Sequence, residues 1–190
     1  MTQAATLSPD KTPSEASSHW LKRYYGVRAL FSISWVALAF TVGRAQPAVG
    51  IVLLIAYPVW DCLANYVDAA RNGGLRANPT QFLNVIVSAI VAIAIVIALR
   101  PDFHAAIAVV GVWAALSGIL QLATGVRRWR TARAQWPQIL SGAQSCLAAA
   151  HFLIKATHPS IAVGIADVAP YAAFGALFFA ISAGVLAFKR

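Results

Sequence analysis

The chain has 190 residues, 59% of them hydrophobic and 11% charged, against roughly 45–50% and about 25% in soluble domains. This composition excludes an ordinary water-soluble globule. It also leaves too little charge for the net +9 to form a nucleic-acid-binding face, and it fits a protein whose solvent is the lipid bilayer. Cys62 and Cys146 lie in apolar stretches with no second Cys or His at metal spacing, so neither a disulfide framework nor a metal site is indicated.

Met1–Ser18 is rich in Ser, Thr, Pro and Ala and lacks the basic start and apolar core of a secretory signal, so a disordered tail is expected over 1–18. A helix crossing about 30 Å of hydrocarbon needs about 20 mostly apolar residues. Six such stretches follow. They run from about Tyr24 to Val42, Ala48 to Val67, Gln81 to Leu99, Phe103 to Val126 and Pro137 to Thr157, with a last one opened by His158-Pro159 and ending before Lys189. Gly43–Pro47, Arg100-Pro101-Asp102 and His158-Pro159 are tight turns, whereas Arg71–Arg76 and Arg127–Arg133 are longer polar loops. The expected fold is therefore an all-α membrane protein with one six-helix domain over 19–190.

The basic residues are asymmetric. Lys11, Lys22, Arg23, Arg71, Arg76, Arg127, Arg128, Arg130, Arg133, Lys189 and Arg190 fall on one side, with Arg28 just inside it, and Arg44, Arg100 and Lys155 on the other. By the positive-inside rule both termini and both long loops face the cytoplasm and the tight turns face out. Trp20, Tyr24, Tyr25, Trp129 and Trp136 lie near the inner boundary, where interfacial aromatics belong.

Alternating tight turns and longer loops suggest three hairpins, over about 19–71, 80–130 and 135–190. Odd helices align through Trp20 with Gly26, Phe82 with Ser88, and Trp136 with Gly142; even helices align through Trp60-Asp61-Cys62-Leu63-Ala64, Trp113–Gly118 and Tyr171–Ala176. Small residues behind an aromatic let helices approach closely where packing, not hydrophobicity, drives association.

The stretch Trp20–Leu30, the Val42-Gly43 and Pro47 turn, and Gly111–Leu122 resemble the repeat of the HdeD-like membrane proteins. That resemblance spans about residues 20–188. It implies a bacterial inner-membrane protein of six helices in tandem hairpins, with an acid-stress setting and no catalytic motif. Asp61 and Asn65 depart from the pattern, standing where the middle repeat has Ala114 and Gly118.

Ionisable groups within a span are costly and need a partner or a watery route. Arg28 and Asp61 should lie at matched depth from the cytoplasmic side, and Asp61, Asn65 and Asp68 share one face of the second helix. Gln144 aligns with Arg28, and Asn84 and Gln121 occupy the same half. Two readings stay open for this cluster: a proton or ion vestibule, or hydrogen-bonded glue between helices. On the outward side, His104, His151, Lys155 and Asp167 form a second candidate cluster. A histidine titrating near about 6.5 would let external acid alter helix packing there; alternatively these residues are only interfacial, with Lys155 snorkelling to water. Pro58 and Pro170 should kink their helices.

There is no Gly-x-Ser-x-Gly, His-Glu-x-x-His, Cys-x-x-Cys or phosphate-binding glycine loop, and the sole glutamate is Glu15, so an enzyme and a cofactor are not expected. A non-enzymatic membrane protein of stress-related type is expected, with a small proton-coupled transporter or channel as the alternative. Small-residue faces such as Gly111, Ser117 and Gly118 could serve packing within the chain or association with a second copy or another membrane protein.

Overall fold

A computed structural model describes residues 13–128 and 136–188. Among these residues the chain is helical, with α1 over Pro13–Leu38, α2 over Pro47–Arg71, α3 over Pro79–Ala98, α4 over Phe103–Arg128, α5 over Trp136–Ala156 and α6 over Ile165–Phe188. All six contain a stretch long and apolar enough to cross a membrane. The backbone of α1 reaches back to Pro13, into the segment expected to be an unstructured tail, and its far end widens into a π-helical turn over Ala39–Gly43. Residues 1–12, the tip of the basic loop at 129–135 and the last two residues lie outside the described part.

Helix ends follow local chemistry. Pro47 and Pro79 open α2 and α3, where a missing N–H costs nothing. The Asp102 carboxylate accepts from the Ala105 N–H at 2.8 Å and caps α4. The last helix begins later than the sequence suggests, at Ile165 and not at His158-Pro159. Thr157 and His158 turn back onto the Ile154 carbonyl at 2.9 and 2.7 Å, ending α5. The Asp167 side chain then accepts from the Gly164 N–H at 2.8 Å, fixing the start of α6. Both α2 and α6 continue through their internal prolines. Pro58 leaves the Leu54 carbonyl without its helical donor, and one residue earlier the Trp35 indole donates to the Leu53 carbonyl at 2.7 Å.

Side-chain contacts define two ends of the bundle. Gly43 and Gly50 pack on Ile165, and His104 bonds the Ile161 carbonyl, so the three tight turns and the start of α4 gather at one end, the turn end. Trp20 and Gln81 both bond Asp68, and Tyr25 stacks near Phe179, so the start of α1, the end of α2, the start of α3 and the later part of α6 gather at the other, the terminal end.

The closest helix partners are not the members of each hairpin. Instead α2 packs on α3, α4 on α5, and α6 returns to α1, whereas α1 and α2, like α5 and α6, touch sparingly. The α4–α5 approach is the tightest because glycine meets glycine. A Cβ on Gly118 would stand 2.8 Å from the Gly142 carbonyl oxygen, and one on Gly142 would stand 2.9 Å from that of Gly118. The core of Trp35, Leu54, Ile95, Ile107, Val110, Phe152, Ile165 and Val168 fills the half of the bundle toward the turn end. Many other large apolar side chains, such as Leu30, Ile93 and Leu147, are exposed on the outside, as a lipid-facing surface requires.

Gly118→Ala and Gly142→Ala should therefore each lower stability in detergent by about 1–3 kcal/mol, the usual cost of overpacking. Gly184→Ala, where a Cβ meets nothing within 4 Å, should leave it unchanged or slightly raised. Equal thermal midpoints for all three variants would contradict the close α4–α5 contact.

Candidate functional site

The stripe on α2 extends one turn further than the acidic residues alone suggest, through Tyr57, Asp61 and Asn65 at intervals of four, which puts them on one face. Asp61 is the centre. One carboxylate oxygen pairs with the Arg28 guanidinium of α1. The other accepts from the Ser88 hydroxyl of α3 at 2.8 Å and from the Asn65 amide at 3.2 Å. That amide also reaches back to the Asp61 carbonyl at 2.8 Å. Arg28 in turn donates to the Tyr24 hydroxyl at 2.8 Å and lies 4.3 Å from the centroid of the Phe179 ring of α6, a cation–π distance. Thus α1, α2, α3 and α6 meet around a single carboxylate.

Beside this pair is a cavity of about 280 Å³ walled by all six helices. Its polar lining comes from Arg28, Asp61, Asn65, Asn84, Ser117 and the α5 stripe Ser141, Gln144 and Ser145. Tyr57, Trp113 and Tyr171 also line it. These three pack edge-on to one another or to the core: Tyr57 lies against Trp113 and Trp35, and Tyr171 against Phe152. They form the floor between the polar half of the bundle and the apolar core toward the turn end. Asn84, on the first turns of α3, is exposed and stands at the cavity's other margin.

Asp68, expected to share one cluster with Asp61, forms a separate centre nearer the terminal end. It accepts from Trp20 at 3.2 Å, Asn72 at 2.9 Å and Gln81 at 3.0 Å, tying the starts of α1 and α3 to the end of α2. The side chain of Gln121 lies outside the described residues. On the turn side, the four residues read as one cluster do not act as one. Lys155 pairs with Asp167, whose other oxygen holds the Gly164 N–H. His151 is exposed and lines the same external groove as Asp167, between α5 and α6, but no hydrogen bond joins it to the pair among the described residues. His104 shares a hydrogen bond with the Ile161 carbonyl at 2.9 Å and fastens the α5–α6 turn to α4.

Sequence reasoning found Arg28, Asp61, Asn65, Asn84 and Gln144 but passed over the aromatic floor and the serines. The signal was present: Ser141, Gln144 and Ser145 recur at i, i+3 and i+4 on an otherwise Ala-rich helix, and Tyr57 precedes Asp61 by one turn. Asp61 and Asn65 also gain a reason for departing from the middle repeat. At the equivalent crossing α4 and α5 touch through Gly118 and Gly142; between α2 and α3 the same place is held by Asn65, Asp61 and Ser88.

Among known proteins, a family model described as a short repeat of unknown function (DUF308) matches residues 83–154, from the first turns of α3 to the end of α5. No curated protein and no solved structure matches the chain.

Removing one member of a buried ion pair strands the other charge and costs about 3–5 kcal/mol. Asp61→Ala and Arg28→Ala should each destabilise the bundle by about 3 kcal/mol, and Arg28→Leu combined with Asp61→Leu should recover most of that loss. Unfolding in graded denaturing detergent measures all three; single variants as stable as the parent would contradict the pairing.

Proposed function

We propose that this chain is a non-enzymatic multi-pass protein of the bacterial inner membrane that admits protons or a small polar solute into the cavity among its helices, as a small transporter does. The observation that carries this reading is the polar cavity walled by all six helices. A bundle that used its polar residues only as glue would bury them against one another. Here Asn84, Ser117, Ser141 and Gln144 line open space beside an ion pair instead. The paired carboxylate is the group able to exchange a proton or hold a hydrated partner there, since the guanidinium stays charged at any ordinary pH.

The apolar core beyond Tyr57, Trp113 and Tyr171 separates the cavity from the turn end, so passage through the bundle requires these aromatics to move. The reading thus belongs to the alternating-access type, in which a site near mid-membrane opens to one side at a time. The acid-stress setting rests on the resemblance to the HdeD-like proteins alone; the match to a short repeat of unknown function over 83–154 supports the repeat character of that resemblance. The non-enzymatic reading rests on the absence of any nucleophile–base or metal motif in the sequence.

Purified protein in liposomes loaded with a pH-sensitive dye tests the proposal. An imposed pH gradient should dissipate faster than in protein-free liposomes, and Asp61→Asn, which keeps the shape and loses the charge, should slow it by about tenfold, the order of a 1.4 kcal/mol barrier change. If neither a proton gradient nor a gradient of small polar solutes relaxes above the protein-free rate, the proposal falls.

A further inference from the structure

We infer that the groove between α1 and α2 at the terminal end, which adjoins the central cavity at Arg28, is a binding site for an anionic phospholipid. The groove has a volume of about 310 Å³ and is lined by Arg23, Arg28, Arg71, Trp20, Tyr24 and Trp60 together with Val27, Leu63 and Val67. Asp61 pairs with Arg28 and Asp68 accepts from Trp20, Asn72 and Gln81, so among the described residues neither carboxylate pairs with Arg23 or Arg71. Arg23 and Arg71 are exposed, and Arg71 stacks on the Trp20 ring at 4.9 Å, which holds its charge at the groove's edge.

A phosphodiester brings several acceptor oxygens and one negative charge, which suits Arg23 and Arg71, because arginine forks recognise phosphate with paired hydrogen bonds.

The apolar lining decides between a lipid and free phosphate. Val27, Leu63 and Val67 are 53%, 53% and 43% exposed and lie one to two turns inward of Arg23 and Arg71, toward the Arg28–Asp61 pair, along two helices that touch sparingly. A soluble anion would contact only the arginines, whereas a phospholipid places its headgroup at Arg23, Arg71 and Trp20 and lays an acyl chain along that strip. Basic pockets between membrane helices at the cytoplasmic surface are suited to such headgroups, and the asymmetry of basic residues predicts that this end faces the cytoplasm.

The test is a titration of the full chain in neutral detergent with phosphatidylglycerol, phosphatidylcholine or inorganic phosphate, read by tryptophan fluorescence and by native mass spectrometry. Phosphatidylglycerol should bind saturably and displace phosphatidylcholine. Arg23→Gln and Arg71→Gln should each weaken it about fivefold and together about thirtyfold, on the scale of one juxtamembrane arginine each. The double control Arg76→Gln with Arg100→Gln, which removes as much charge outside the groove, should leave affinity unchanged. Leu63→Trp keeps every charge and fills the apolar strip, so it should abolish binding even if the arginine variants fold poorly. Equal losses in both double variants would reduce the effect to general surface charge and overturn the site. So would equal affinity for the two lipids, or inorganic phosphate reproducing the fluorescence change alone.

Discussion

A carboxylate in hydrocarbon cannot be left to water, and the arrangement of this protein follows from how Asp61 is satisfied. Its two oxygens draw a guanidinium from α1, a hydroxyl from α3 and an amide from its own helix, while the guanidinium lies over Phe179 of α6. Four of the six helices are thereby fixed relative to one another at one depth. Directional bonds of this kind matter more in a membrane than in water, since burial of apolar surface offers no preference for a helix over a lipid tail.

The bundle has two halves built on different terms. Toward the turn end, aromatic, branched and alanine side chains interlock without polar lining, and precise approach comes from Gly43 and Gly50 receiving Ile165. Toward the terminal end, polar side chains face a cavity, and contact depends on hydrogen bonds. The same contrast separates the helix crossings. Between α4 and α5 two backbones meet at glycine; between α2 and α3 a buried asparagine and serine and the half-buried Asp61 take that place. One crossing is held by proximity and the other by chemistry, and only the second leaves groups able to meet a ligand.

Much of this was legible in the sequence for physical reasons. Spans long enough for the bilayer cannot be disguised, and ionisable residues within them stand out because each must be answered; the Arg28 and Asp61 partnership followed from matched depth. Other features were not legible. Asp68 lies on the same face as Asp61, but the loop after α2 supplies it with Asn72 and the start of α3 with Gln81, and no periodicity reveals a partner brought in by a turn. His104, His151, Lys155 and Asp167 group by their outward position in the sequence, yet among the described residues only Lys155 and Asp167 pair with each other. Trp113 and Tyr171 stand out in the sequence only as repeat markers and Tyr57 not at all, because the floor they form depends on how distant helices are arranged. The return of α6 to α1 spans nearly the whole chain and has no local signature.

That return has a consequence for assembly. During synthesis α1 enters the membrane first of the six, but its principal neighbour is α6, the last to emerge. Until then Arg28 has Tyr24 and, once α2 arrives, Asp61, whereas the face destined for α6 has only lipid or the translocation machinery beside it. The α1–α6 contact can thus form only after the rest of the bundle has been synthesised. Quality-control proteases that recognise unpaired membrane helices would find their opportunity in that interval.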